Sequence, residues 1–147
     1  MADNIKFYMQ KDGEGAISIE DHFQGVKYSK CTGLYDKGAR TNMFIEQYAD
    51  SDEIRVWQDE NVAREATDIT ITIYFVGDSR HLSYEAFYEY IKNGKIRFWD
   101  TERMKEAYLV FDGKLSVKED VYKGSIPYKL ADFKFKNIWG ECKDKTI

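Results

Sequence analysis

The chain holds one proline, two histidines and two cysteines in 147 residues, and each scarcity closes off a class of function. Cys31 and Cys142 lie far apart in sequence and form no CxxC, so neither a disulfide framework nor a thiolate zinc site is expected. His22 and His81 stand alone, without the HxH or HExxH spacing that would set two imidazoles on one metal. GxSxG, GxGxxG and Walker loops are missing as well, so nucleophile-elbow, dinucleotide and P-loop chemistries have no sequence support. No apolar run reaches the length of a membrane span, and the N-terminal "MADNIKFYMQKDGEG" holds no signal-peptide core. The expectation is a chain made in the cytoplasm, with no membrane partner, no cofactor and no metal.

What the chain has is aromatic weight: 11 Tyr, 9 Phe and 3 Trp within a hydrophobic content of 43%. Rings that pair an apolar body with a polar tip suit half-buried sheet faces and interfaces. The formal charge of −4 repels nucleic acid as a whole, so sequence-specific nucleic-acid binding is not expected. Length and composition fit one β-rich domain over residues 1–147.

The patterning is mainly that of strands. "DITITIYFVG" alternates Ile69, Ile71, Ile73 and Phe75 with Thr70, Thr72, Tyr74 and Val76, which is period two carried by stiff β-branched residues. "AISIEDHF" (16–23) reads as a short strand, "GVKYSKCTGL" as another, and "KIRFWD" as a third. Gly38 in "YDKGAR" is expected to take positive φ in a turn. Asp112-Gly113, set between alternating apolar residues, predicts a tight hairpin. The last strand, in "YKLADFKFKNIWGE", should bury Phe133 and Phe135 on one face while Lys134 and Lys136 keep the other wet and guard an edge.

One segment breaks the pattern. In "SYEAFYEYIKNG" Tyr84, Phe87, Tyr88 and Ile91 form a single helical stripe, with Ser83 as expected N-cap and Gly94 as the stop. A helix over about residues 83–93 glued to a sheet by its rings is the prediction, leaving Tyr90 off the stripe for an outside contact. The fold class is therefore mainly β, a β-sandwich or open β-barrel with one flanking α-helix.

Charge is unevenly placed. Residues 41–68 hold eight acids against Arg55 and Arg64, a net of −6, together with Met43, Phe44, Ile45, Tyr48, Ile54, Val56 and Trp57. A solvated loop is one reading. The other is a protruding acidic arm with apolar anchors, complementary to a lysine-bearing strand on a neighbouring copy.

From Asp68 onward the order "DITITIYFVGD", "SYEAFYEYI", "GKIRFWDTERMKEAYLVFDGKL", "YKLADFKFKNIWG" resembles proteins of the tail-tube fold of long-tailed bacteriophages, especially the N-terminal domain of distal tail (baseplate hub) proteins. The resemblance covers about the last half of the chain. It implies a structural subunit of a phage or prophage tail that self-assembles into hexameric rings with other tail proteins. It also implies location in the virion and a lumen whose negative charge lets DNA pass. Distal tail proteins often carry a second, galectin-like domain, for which this chain leaves no room. Phe44, Tyr48 and Trp57 are the candidate arm anchors, and Phe133, Lys134, Phe135 and Lys136 the candidate docking strand. Two other classes stay open: a β module binding carbohydrate or a small hydrophobic molecule, for which exposed Trp57, Trp99 and Trp139 would speak, and a small β-sandwich enzyme, which would need a histidine gathered with two acids.

Overall fold

The computed structural model describes residues 6–39, 41, 43–47, 54–58, 64–121 and 126–145, with 43–47 and 54–58 described by backbone alone. The elements are β1 (Phe7–Lys11), β2 (Ile17–Ser18), α1 (Ile19–His22), β3 (Val26–Thr32), β4 (Met43–Gln47), β5 (Ile54–Gln58), β6 (Thr67–Val76), α2 (Arg80–Ile91), β7 (Lys95–Asp100), β8 (Lys105–Val121), β9 (Tyr128–Asn137) and β10 (Lys143–Asp144). One open antiparallel sheet runs in the order β2-β1-β7-β8-β9-β6-β3, with β10 added to β8, while β4 and β5 form a two-stranded ribbon of their own. The architecture is mainly β with one long helix on its flank, as the alternation predicts.

Alternation selects the inner face of the sheet. Ile69, Ile71, Ile73 and Phe75 of β6, Phe133 and Phe135 of β9, Ile96 and Phe98 of β7, and Phe7 and Met9 of β1 are all fully or almost fully buried. The sheet curls until its two ends touch. Tyr28 of β3 packs 5.0 Å from Phe7 of β1 between ring centroids, although four strands separate them in the sheet order. Strand β1 itself is legible in hindsight as the alternating "FYMQ" before the glycine turn, a signal the sequence reading passed over.

Helix α2 lies on this apolar face. The Phe87 ring sits 5.0 Å from Phe133, 5.8 Å from Phe23 and 6.1 Å from Phe75, so the aromatic stripe is core. The helix begins three residues earlier than expected, with Ser79 at its N-cap position. Ser83 is instead buried in the helix, where its hydroxyl donates to the Gln24 carbonyl at 2.5 Å and ties the helix to the approach to β3. Tyr90 does not point to an outside partner: it packs edge-on to Phe23, and Lys11 lies 4.7 Å over its ring.

Three further expectations change. The stretch 16–23 is only briefly extended before turning into α1, which lets Ile19 and Phe23 both reach the core. Asp112-Gly113 makes no hairpin. Strand β8 runs straight through it, and between the pairs Phe111–Phe135 and Leu115–Phe133 three residues of β8 face the single residue Lys134. Gly113 takes φ of 90° and the Asp112 carboxylate accepts from the Lys114 N–H at 2.9 Å, so the same dipeptide chemistry serves a bulge. Strand β9 is no edge: β8 and β6 pair with it on its two sides, so Lys134 and Lys136 have no edge to guard.

Candidate functional site

The predicted contact residues fall into two groups. In the ribbon, Phe44 is paired with Trp57, Ile45 with Val56 and Glu46 with Arg55, so two of the expected anchors stand opposite each other. Tyr48 lies outside the described residues. Among the described residues the ribbon pairs with no strand of the main sheet. In the other group, Phe133 and Phe135 are fully buried in the chain's own core, which removes them as surface contacts. Lys134 and Lys136 are exposed on the opposite face of the same strand. Lys134 donates to the Thr70 hydroxyl at 3.4 Å, and Lys136 pairs with Asp68, whose carboxyl its hydrogen bond and charge hold below the usual range.

The base of the ribbon is fastened to the sheet by backbone contact. Gly38 N–H donates to the Gly140 carbonyl at 2.8 Å, and Glu65 N–H donates to the Ala39 carbonyl at 2.8 Å. A Cβ on Gly38 would stand 1.9 Å from the Glu65 carbonyl oxygen. Gly38 is therefore required for close approach, and it is not among the positive-φ glycines that the turn reading anticipated. Arg64 closes the junction, its Nη1 donating to the Gly38 carbonyl at 3.1 Å and its Nε to Glu141 at 3.3 Å.

One buried polar cluster serves structure. Asp100 is fully buried; it accepts from Arg103 Nη2 at 2.8 Å, from the Arg103 backbone N–H at 2.8 Å and from the Tyr28 hydroxyl at 3.2 Å. The cluster locks the turn after β7, where Met104 takes φ of 50°. Burial pushes the neighbouring Cys31 thiol up to about 12, against the pull of Arg103, so it stays protonated and unreactive at neutral pH. His22 and His81 are both exposed, on α1 and α2. Among the described residues no three His, Cys, Asp or Glu side chains gather as a metal site.

The sequence does not reveal a cation–aromatic platform that several strands build together. On the outer face, Tyr108 of β8 and Trp139 just beyond β9 lie 5.4 Å apart, and the Arg97 guanidinium of β7 stands 5.9 Å and 6.0 Å from their ring centres. Lys143 of β10 sits 4.4 Å over Trp139, and Lys95 lies 6.0 Å from Tyr108. Alongside, Trp99 is only 8% exposed, stacked on Tyr8 at 5.7 Å and covered by Lys145 at 4.0 Å. The signal was present in "KIRFW", where Lys95, Arg97 and Trp99 share one side of a strand. What was invisible was that the turn after β9 and β10 would return Trp139 and Lys143 to it. Further along the same sheet, Ser29, Lys30, Thr72, Tyr74, Lys118 and Asp132 line an open polar groove of about 500 Å³.

No family profile and no curated protein matches the chain. Two solved structures overlap most of it. One is described as SPP1 Dit (gp 19.1), a hub adsorption apparatus protein of phages infecting Gram-positive bacteria, at 12% identity and TM-score 0.42 over 87% of this chain and 49% of that one. The other is the phage P2 baseplate in its activated, calcium-bound conformation, at 12% identity and TM-score 0.45 over 90% of this chain and 44% of that one. The chain spans about half the length of the solved structures it matches.

Proposed function

We propose that the chain is a structural subunit of a phage or prophage tail, a tube, distal tail or related baseplate component, that acts by self-assembly into rings. The observation that carries the assembly reading is the β4–β5 ribbon. It is a sheet of two strands that pairs with nothing else among the described residues. A lone two-stranded ribbon is marginal in water, so one rich in Phe, Ile, Val and Trp calls for a partner surface. Its base is nevertheless pinned through Gly38, Glu65 and Gly140, which gives it a defined point of departure from the domain.

In this reading residues 1–147 form one domain with an acidic arm within 41–68. Phe44, Tyr48 and Trp57 anchor the arm, and cationic parts of the outer sheet face on a neighbouring copy, Lys134 and Lys136 included, receive it. Each copy then gives an arm and accepts one, a head-to-tail contact that closes into a ring when the rotation fits, as in the hexamer the sequence resemblance implies. Function is geometric, without catalysis or cofactor, and its place is the virion, with other tail proteins as further partners. The test is solution mass by light scattering over rising concentration, with negative-stain images of the same samples. Rings in the wild type, lost in Trp57→Ala, support the reading. Intact assembly in both Trp57→Ala and Lys134→Glu refutes the arm.

The carbohydrate-module reading loses its platform, because Trp99 is buried under Tyr8 and Lys145 and Trp139 is half-buried under Lys143. Trp57 is described by backbone alone. A sugar-binding screen on the monomer separates the two readings.

A further inference from the structure

We infer that the receiving surface for the acidic ribbon of a second copy is the cation-capped aromatic platform of Lys95, Arg97, Tyr108, Trp139 and Lys143. The inference rests on the assembly reading and goes past it by naming the docking site.

Charge complementarity carries it. The segment 41–68 holds a net of −6, and in its 48–53 connection between β4 and β5 it concentrates Asp50, Asp52 and Glu53 with no basic residue. On the platform cations outnumber the acids that answer them; Lys134 likewise forms no salt bridge among the described residues, but the platform cations Arg97, Lys95 and Lys143 also stand over aromatic rings. Among the described residues Lys95 and Lys143 form no salt bridge, whereas Lys136 is matched by Asp68, Lys118 by Asp132 and Lys129 by Asp120. Arg97 and Lys145 share a single carboxylate, Glu106, at 3.9 Å and 3.6 Å. Nearby, Asp144 pairs with Lys105, while Asp12 accepts from the Tyr108 hydroxyl and keeps its own charge, so Glu106 and Asp12 face four cations, Lys95, Arg97, Lys143 and Lys145.

The rings explain why these cations suit a protein partner. An ammonium or guanidinium held over an aromatic face has already surrendered part of its freedom, so an incoming carboxylate meets an ordered array. The same arrangement disfavours a sugar as occupant. Stacking needs an open ring face, and each of these rings already has a cation over it. The apolar residues of the ribbon supply the desolvated centre that a purely ionic contact would lack.

The experiment is a charge swap read by light scattering and analytical ultracentrifugation on the full chain. One variant carries Lys95→Glu and Lys143→Glu, both exposed and outside the core. The other carries Asp50→Lys, Asp52→Lys and Glu53→Lys. Each alone is expected to need at least about tenfold higher concentration to associate than wild type, and wild-type association is expected to weaken with salt. Mixed in equal amounts, the two variants are expected to regain association within about threefold of wild type, because each surface then meets its opposite. Lys134→Glu serves as a control with a smaller effect.

Wild type that assembles while both variants assemble equally well overturns the platform and leaves the assembly reading standing. Reduced association in each variant without recovery on mixing overturns the pairing of these two surfaces. Wild type that stays monomeric, alone and with tail partners, overturns both readings together. Binding of polygalacturonate by the monomer, lost in Lys95→Glu/Lys143→Glu while assembly is untouched, reassigns the platform to an anionic glycan.

Discussion

Gly38→Ala probes the junction that holds the ribbon to the domain. The added Cβ would stand 1.9 Å from the Glu65 carbonyl oxygen, where real contacts fall no closer than 3.0 Å, so the two backbones must part by roughly an ångström. A hydrogen bond stretched by that much is no longer one, and two of them span the gap: the Glu65 N–H to the Ala39 carbonyl at 2.8 Å, and the Arg64 guanidinium to the Gly38 carbonyl at 3.1 Å. At about 1 kcal/mol net for each, the loss is about 2 kcal/mol. It falls on the junction, whose bonds join residues 38 and 39 to 64, 65 and 140. Amide exchange at residues 38 and 65 should accelerate by roughly thirtyfold while core amides keep their protection. Gly15→Ala, where a Cβ meets nothing within 4 Å, is the matched control and should change neither. Self-association should fall in Gly38→Ala and not in Gly15→Ala, because an arm with a loose base loses its preorganisation. Unchanged exchange at Glu65 with unchanged association would refute the argument.

Other outcomes follow from the same geometry. Asp100→Asn should cost about 3 kcal/mol in denaturant unfolding, because Arg103 and Tyr28 lose the buried carboxylate that both donate to; a cost below about 1 kcal/mol would mean the cluster is not structural. Stability should hold up to about pH 9 and decline toward pH 12. Burial raises the Cys31 thiol from its ordinary 9.0 to about 12 and raises the Tyr28 phenol as well, so the unfolded chain releases protons that the folded one retains. Each pH unit in that window costs at most about 1.4 kcal/mol per group, and Cys31→Ala with Tyr28→Phe should flatten the denaturant-midpoint profile. Gly113→Ala should cost about 1 kcal/mol through its φ of 90° alone, since nothing lies within 4 Å, with Gly113→Asn costing less; equal stability in all three would remove the bulge assignment.

The elements read correctly are those whose period is written in one strand or one helix turn. The run Ile69 to Phe75, the Tyr84–Phe87–Tyr88–Ile91 stripe and the alternation of Phe133 and Phe135 with the lysines all report which side of a local element is apolar, and the core follows. What failed depended on neighbours far away in sequence. Asp112-Gly113 satisfies a primed turn and a bulge with the same positive φ, and only the partner strand decides between them. Alternating lysines say that a face is wet, not whether strands lie on both sides, and β9 is flanked by β6 and β8. Flexibility is the reason the sequence offers for Gly38, whereas the structure supplies another, Glu65 and Gly140 lying against it. The platform of Tyr108, Trp139 and Arg97 draws on β7, β8 and the end of β9, and no window along the chain contains it.

The placement of β9 bears on the order of events during synthesis. It follows β6 and β8 in the chain, yet it sits between them and is their shared partner. Until it arrives, β3 with β6 and β1 with β7 and β8 are two separate half-sheets, and the floor beneath Phe87, which is Phe133, is missing. Trp139 and Lys143 emerge later still. Closure of the main sheet therefore waits on residues 128–137, which follow both of the strands they join.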